Sequence, residues 1–93
     1  MREIEKASEF KHDYKRARRG LHQATVVADV TAVVELLATD TPLDPKYKDH
    51  KLSGDWVGYR DCHIKPDLVL IYRKVGTDVL RLARLGSHSD LFG

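Results

Sequence analysis

Three histidines, an aspartate and an arginine stand where this chain could do acid–base work on a phosphodiester. The stretch YKDHKLSGDWVGYRDCHIKPDLVLIY, from Tyr47 to Tyr72, carries His50, His63 and Asp67, and the terminus RLGSHSDLFG adds Arg84 and His88. A neutral imidazole titrates near pH ~6.5, so small differences in surroundings let one copy accept a proton while another donates one at physiological pH. A planar guanidinium suits a phosphate held between them. RNA cleavage by such a set requires a base for the 2′-hydroxyl proton, a cation for the crowded phosphorane and an acid for the leaving 5′-oxygen. The five residues include a candidate for each role.

These residues depend on elements that the hydrophobic pattern outlines. Met1–Ala7 alternates as a short first strand, and Ser8 offers a hydroxyl to cap a helix running to about Arg19, with Gly20 as its stop. Phe10, Tyr14 and Ala17 fall on one side of that helix, while Lys11, Lys15, Arg18 and Arg19 share another at helical spacing. From Gln23 to Ala38 the valines at 26, 27, 30, 33 and 34 and Leu37 keep a helical period, although valine by itself favours strand. Periodicity and length decide for a helix. The segment from Thr39 to Asp49 holds Pro42 and Pro45 and reads as an extended connection. The period then changes: Trp56–Ile64, Leu68–Arg73 and Val79–Leu85 read as a three-strand meander with turns at Lys65-Pro66-Asp67 and Gly76-Thr77-Asp78. Both helices must cover one face of this sheet, the first strand joins an edge, and Ser87–Phe92 forms a last helical turn. The result is a small α+β layer fold. His63 and Asp67 bracket one turn while Arg84 and His88 end the third strand, so they converge at the sheet surface.

Ninety-three residues without repeats or linkers make one domain with one modest core. Cys62 is the only cysteine, which excludes an internal disulfide and favours a reducing compartment. The start, MREIEKASEF, lacks the apolar run of a signal peptide, and no stretch approaches the ~18 apolar residues of a membrane span. The chain therefore reads as soluble and cytoplasmic, with no membrane partner. Its net charge of +2 hides an uneven distribution. Residues 1–24 carry seven Lys/Arg and four Asp/Glu, residues 25–44 carry four acids and no base, and residues 45–93 carry nine bases and six acids. Two basic surfaces flank an acidic, apolar centre, so one side can meet a polyanion while a helix elsewhere meets the core or a protein partner.

The segments YKDHKLSGDWVGYRDCHIKPDLVLIY and RLGSHSDLFG resemble the YafQ branch of the RelE/ParE superfamily of bacterial toxins. The similarity covers about half the chain, in register. The first forty residues agree in element order and in the basic first helix, and Lys51 and Val57 depart from the pattern outside the chemistry. The resemblance implies a β-α-α-β-β-β fold and a toxin of a type II toxin–antitoxin system. Such a toxin enters the ribosomal A site and cuts translated mRNA without a metal or cofactor, inhibiting translation until a cognate antitoxin binds and silences it. Position by position, the family's functional residues fall here on His50, His63, Asp67, Arg84, His88 and Phe92. His88 is implied as the main proton-transfer residue, with Asp67 or His63 opposite it and His50 in support. Arg84 would bind the scissile phosphate and Phe92 would stack on a base. The cations Lys11, Lys15, Arg18 and Arg19 would suit ribosomal RNA.

Ordinary structural roles compete with each of these. His12 and His22 read as surface or hydrogen-bonded residues, and Asp67 after Pro66 also suits a turn that accepts backbone hydrogen bonds. Arg84 could face solvent from a strand, Phe92 could anchor the C-terminus in the core, and the basic helix face could simply be solvated. Trp56, Tyr59 and Tyr72 read as packing residues, the two tyrosines with a place on the groove rim. Two other functional classes fit part of the pattern. A metal-dependent hydrolase could use the three histidines and Asp67 as zinc ligands, yet no His-x-His or His-x3-His pair is present and Arg84 would repel a cation. A noncatalytic superfamily member acting by protein binding would not need this histidine set.

Overall fold

The computed structural model describes residues 1–93. Its elements are β1 (Glu3–Lys6), α1 (Ser8–Ala17), α2 (Val26–Ala38), β2 (His50–Lys51), β3 (Arg60–Lys65), β4 (Leu68–Val75), β5 (Val79–Gly86) and α3 (His88–Phe92). Single 3-10 turns at Pro45–Tyr47 and Gly54–Trp56 flank β2. The sheet order is β1-β5-β4-β3-β2, with β1 parallel to β5 and the other neighbours antiparallel. The α+β expectation holds, including the edge position of the first strand.

The apolar run Leu68-Val69-Leu70-Ile71-Tyr72 does not alternate, which is the pattern of a strand covered on both faces. Accordingly β4 sits at the centre of the sheet with all five residues buried. Leu70 and Tyr72 join a core with Phe10 of α1 and Val26, Val30, Val33, Val34 and Leu37 of α2. Val69 and Ile71 face the other way, toward Ala83 and Leu91, with Leu52, Trp56, Tyr59 and Phe92 half-buried around them. The two long helices therefore cover one face as expected, but the second face carries a smaller apolar layer of its own.

Several boundaries differ from the sequence reading. The N-cap of α1 is Ala7, so Ser8 is already helical and gives no side-chain cap, and the helix ends at Ala17 rather than Arg19. α2 begins at Val26, and Val27 is 47% exposed because it lies outside the stripe of Val26, Val30, Val33, Val34 and Leu37. The strand expected from Trp56 starts only at Arg60, and the two-residue β2 lies beyond the end of the connection as read from the prolines. Tyr72 does not rim a groove: it is buried and its hydroxyl donates to Asp49 Oδ1. No helix is long and apolar enough to cross a membrane.

β1 stops opposite Leu82, where the chain turns into α1, so the second half of β5 has no strand on that side. The carboxylate of Asp13 takes the strand's place. It accepts the Leu85 N–H at 3.0 Å and the Arg84 Nε–H at 2.7 Å, and Arg16 approaches at 3.3 Å. Asp13 is 5% exposed, and a carboxylate that dry persists only with donors replacing its lost water. Asp13→Ala should lower the unfolding free energy by about 2 to 4 kcal/mol, because it strands a buried amide and a guanidinium together. The check is a lower urea midpoint at unchanged slope, with Asp13→Asn, which keeps an acceptor, costing clearly less.

Candidate active site

On β3, Cys62 and Ile64 belong to the helix-side core, so the alternation of the strand sends Asp61 and His63 to the opposite face. β2 pairs His50 directly with Asp61, which sets His50 over the same face. α3 lies against the end of β5 with Leu91 buried in the smaller apolar layer. A reciprocal cap holds this five-residue helix: Ser87 Oγ accepts the Asp90 N–H at 3.1 Å and the Asp90 carboxylate accepts the Ser87 N–H at 3.3 Å. The rings of His88 and Phe92, four residues apart, meet with centroids at 4.7 Å. The shared orientation expected from helical spacing is present.

Beneath the imidazoles lies Asp61, 1% exposed. His50 Nδ1 is 2.7 Å from the Lys48 carbonyl oxygen and 3.0 Å from Asp61 Oδ1. A carbonyl can only accept, so Nδ1 must carry the hydrogen. That hydrogen goes to Lys48, and Asp61 Oδ1 has no hydrogen bond of its own. The neutral His50 ring then presents a lone pair at Nε2, the arrangement of a general base. Burial pushes the Asp61 carboxyl above its ordinary range, and the nearby imidazoles of His50, His63 and His88 oppose that shift.

The six residues predicted for the site are not gathered at one point. His50, His63 and His88 share the electrostatic neighbourhood of Asp61, and Phe92 lies against His88. Asp67 instead turns toward the α1–α2 connection, where its Oδ1 accepts from His22 Nε2 at 2.7 Å. Arg84 is held by Asp13 through Nε at 2.7 Å and Nη2 at 3.3 Å, which leaves Nη1 as the free arm of the fork. Asp13 and Asp67 line one cleft of about 180 Å³ together with Arg16, His22, Ser87 and Asp90. Ser87 and Asp90 in its lining are the capping pair of α3, while His50, His63 and His88 themselves do not line it. No three His, Cys, Asp or Glu side chains are gathered so as to hold a metal ion.

Four features of this region were not anticipated from the residues. Asp61 had a usable signal, since it lies two before His63 on an alternating strand. Asp13 had one as well: a charge on the apolar side of α1, three residues after Phe10. The lysines at 46, 48 and 65, which with Tyr47 and His63 line a groove of about 320 Å³, are too far apart in sequence to read as a patch. His22 is hydrogen-bonded, as its ordinary reading allows, but its partner 45 residues away could not be guessed. The expected cations are all exposed, Lys11 and Lys15 on α1 and Arg18 and Arg19 in the turn just beyond its end.

The raised Asp61 carboxyl makes a prediction with a definite sign. The folded chain binds that proton more tightly than the unfolded one, so the contribution to stability is full below the ordinary carboxyl range and is lost as pH rises through the folded value. Asp61→Asn removes this loss. Its stability relative to the wild type should therefore be higher at pH 7 than at pH 4, measured by urea denaturation at both.

Comparison with known proteins places this geometry. The family model for YafQ, a bacterial toxin of type II toxin–antitoxin systems, matches residues 2–93. The chain is 40% identical over 93 residues to the mRNA interferase toxin YafQ of Escherichia coli strain K12, spanning 99% of this chain and 97% of that protein. The crystal structure of YafQ from E. coli strain BL21(DE3) superposes with a TM-score of 0.86 at 37% identity, covering 100% of both chains. YafQ in the crystal structure of the E. coli DinJ–YafQ complex gives a TM-score of 0.84 at 38% identity, again over 100% of both chains. With the match running from end to end, this chain belongs to the YafQ family of toxins of bacterial type II toxin–antitoxin systems.

Proposed function

We propose that this chain is a ribosome-dependent endoribonuclease that cuts translated mRNA in the ribosomal A site by metal-independent acid–base chemistry, and that a cognate antitoxin silences it. The observation that carries this reading is the grouping of His50, His63 and His88 around Asp61 on one open face, with Arg84 fixed separately by Asp13 on β5. His50, its Nδ1–H turned to the Lys48 carbonyl, takes the 2′-hydroxyl proton at Nε2. The 2′-oxygen attacks phosphorus, the free arm of Arg84 balances the charge of the phosphorane, and His88 protonates the departing 5′-oxygen. The products are a 2′,3′-cyclic phosphate and a 5′-hydroxyl end. Phe92, tilted against His88, offers the exposed part of its ring to a base.

Ribosomal RNA supplies the polyanion for Lys11 and Lys15 on the outer face of α1 and for Arg18 and Arg19 just after it, where phosphate contacts need charge without base specificity. Purified RNA lacks that second surface. The dependence on the ribosome then follows from affinity divided between two contacts, message at the histidine face and ribosome at the helix. The E. coli relative is found in complex with DinJ, and an antitoxin covering this face would silence the chain here.

Induced expression without antitoxin should arrest growth and give new 5′-hydroxyl ends at fixed positions within codons, read by 5′-end mapping. Cleavage of naked RNA at equal rate would unseat the ribosome-dependent reading. His88→Ala should lower the rate by ~10² to 10⁴, the usual cost of one proton-transfer group, and cutting should survive chelation that leaves the ribosome intact.

Leu91 and Phe92 should separate cleanly. Leu91 is the buried anchor of α3, so Leu91→Ala should cost about 2 to 4 kcal/mol of stability. Phe92 is half-buried, so Phe92→Leu should cut cleavage, by the ~1 to 3 kcal/mol of one stacked base, with little change in melting temperature. A melting temperature several degrees lower with normal cleavage per folded molecule would return Phe92 to the core.

A further inference from the structure

We propose that His22 is a positioning residue of the cleavage site, holding Asp67 at the end of the β3–β4 turn as a pre-aimed carboxylate. The inference rests on the endoribonuclease reading above. The α1–α2 connection and the β3–β4 turn are otherwise separate surface segments, and His22 Nε2 donates to Asp67 Oδ1 at 2.7 Å across the gap between them. Stability alone gives little reason for the pair. The side chains of His22 and Asp67 are 27% and 51% exposed, and ion pairs so open to water contribute little to folding. Position gives a better one, because both residues line a cleft whose lining also includes Ser87 and Asp90, the capping pair of the helix that carries His88.

The other charges around Asp67 are already committed. Lys65, nearest along the chain, directs its Nζ to Asp29 Oδ2 at 2.6 Å. Arg16 contacts Asp13, Asp13 holds Arg84, and Asp90 caps Ser87. His22 alone makes a side-chain hydrogen bond to Asp67, and that bond holds the carboxyl below its usual range. Asp67 thus meets RNA as an anion. It has no proton to give at neutral pH, so the acid step stays with His88, and Asp67 serves as a hydrogen-bond acceptor that orients the substrate while His50 is the base. His22 supplies orientation, and a carboxylate displaced by an ångström loses its aim at substrate.

The test uses purified toxin, ribosomes programmed with a short message, and carbon-detected NMR titration of the Asp67 carboxyl in the free protein. His22→Ala should keep the wild-type melting temperature, raise the Asp67 titration midpoint, and lower kcat on the order of 10- to 100-fold with KM unchanged. His22→Gln, which keeps an N–H donor, should restore most of the rate. In an Asp67→Ala background, His22→Ala should have no further effect. The proposal is overturned if His22→Ala cleaves at the wild-type kcat, whether or not the midpoint moves, or if Asp67→Ala cleaves normally. A wild-type toxin that cuts no message on ribosomes fails differently: it removes the endoribonuclease reading, and the positioning role with it.

Discussion

β4 is buried on both faces, and the two sides of this protein are arranged around that constraint. Leu70 and Tyr72 require α1 and α2 on one side, while Val69 and Ile71 require cover on the other. The second side has no long helix to supply it. α3 and the segment from Leu52 to Tyr59 provide partial cover and leave the histidines of β2 and β3 reachable beside them. A chain of 93 residues does not cover both faces of its sheet with full layers, and the incomplete one is where polar chemistry fits.

Carboxylates organise that chemistry more than cations do. Asp13 replaces a missing strand at the edge of β5 and in the same act fixes Arg84. Asp49 ties Arg60 to the Tyr72 hydroxyl just before His50. Asp61 lies dry beneath three imidazoles. In each case a short acid on a rigid element sets the position or proton state of a longer, more mobile group, and the entropy of ordering that group is lost during folding rather than when RNA arrives. Asp61 is the costly member, because burial works against its charge and no donor satisfies Oδ1. Unsatisfied buried groups are uncommon in proteins and concentrate where function holds them.

The geometry also redistributes roles within one set of residues. Family resemblance implies His50 as support and His88 as the main proton-transfer residue. The Lys48 carbonyl changes the first of these, since it fixes the hydrogen on Nδ1 and exposes Nε2 as a base. His88 keeps the acid step on a helix held by its own capping box. In the proposed reaction base and acid therefore come from separate elements, His50 on the edge strand β2 and His88 on the helix that follows β5.

The sequence by itself determined the elements and their faces. Alternation and helical period placed α1, α2, β4 and β5 to within a few residues, and the same alternation, read more closely, would have put Asp61 beside His63. The motif carried the family and six site residues, because catalytic side chains are constrained in type and order along the chain. Tertiary structure alone decided which of those residues meet. Asp67 pairs with a histidine 45 residues away, Arg84 with an aspartate 71 away, and Asp61 comes under His88 only when α3 folds back over β5. Such pairings follow from strand order and from where β1 stops. They leave no local periodicity, because the side chains involved are polar, partly exposed and free of the packing constraint that makes a core legible.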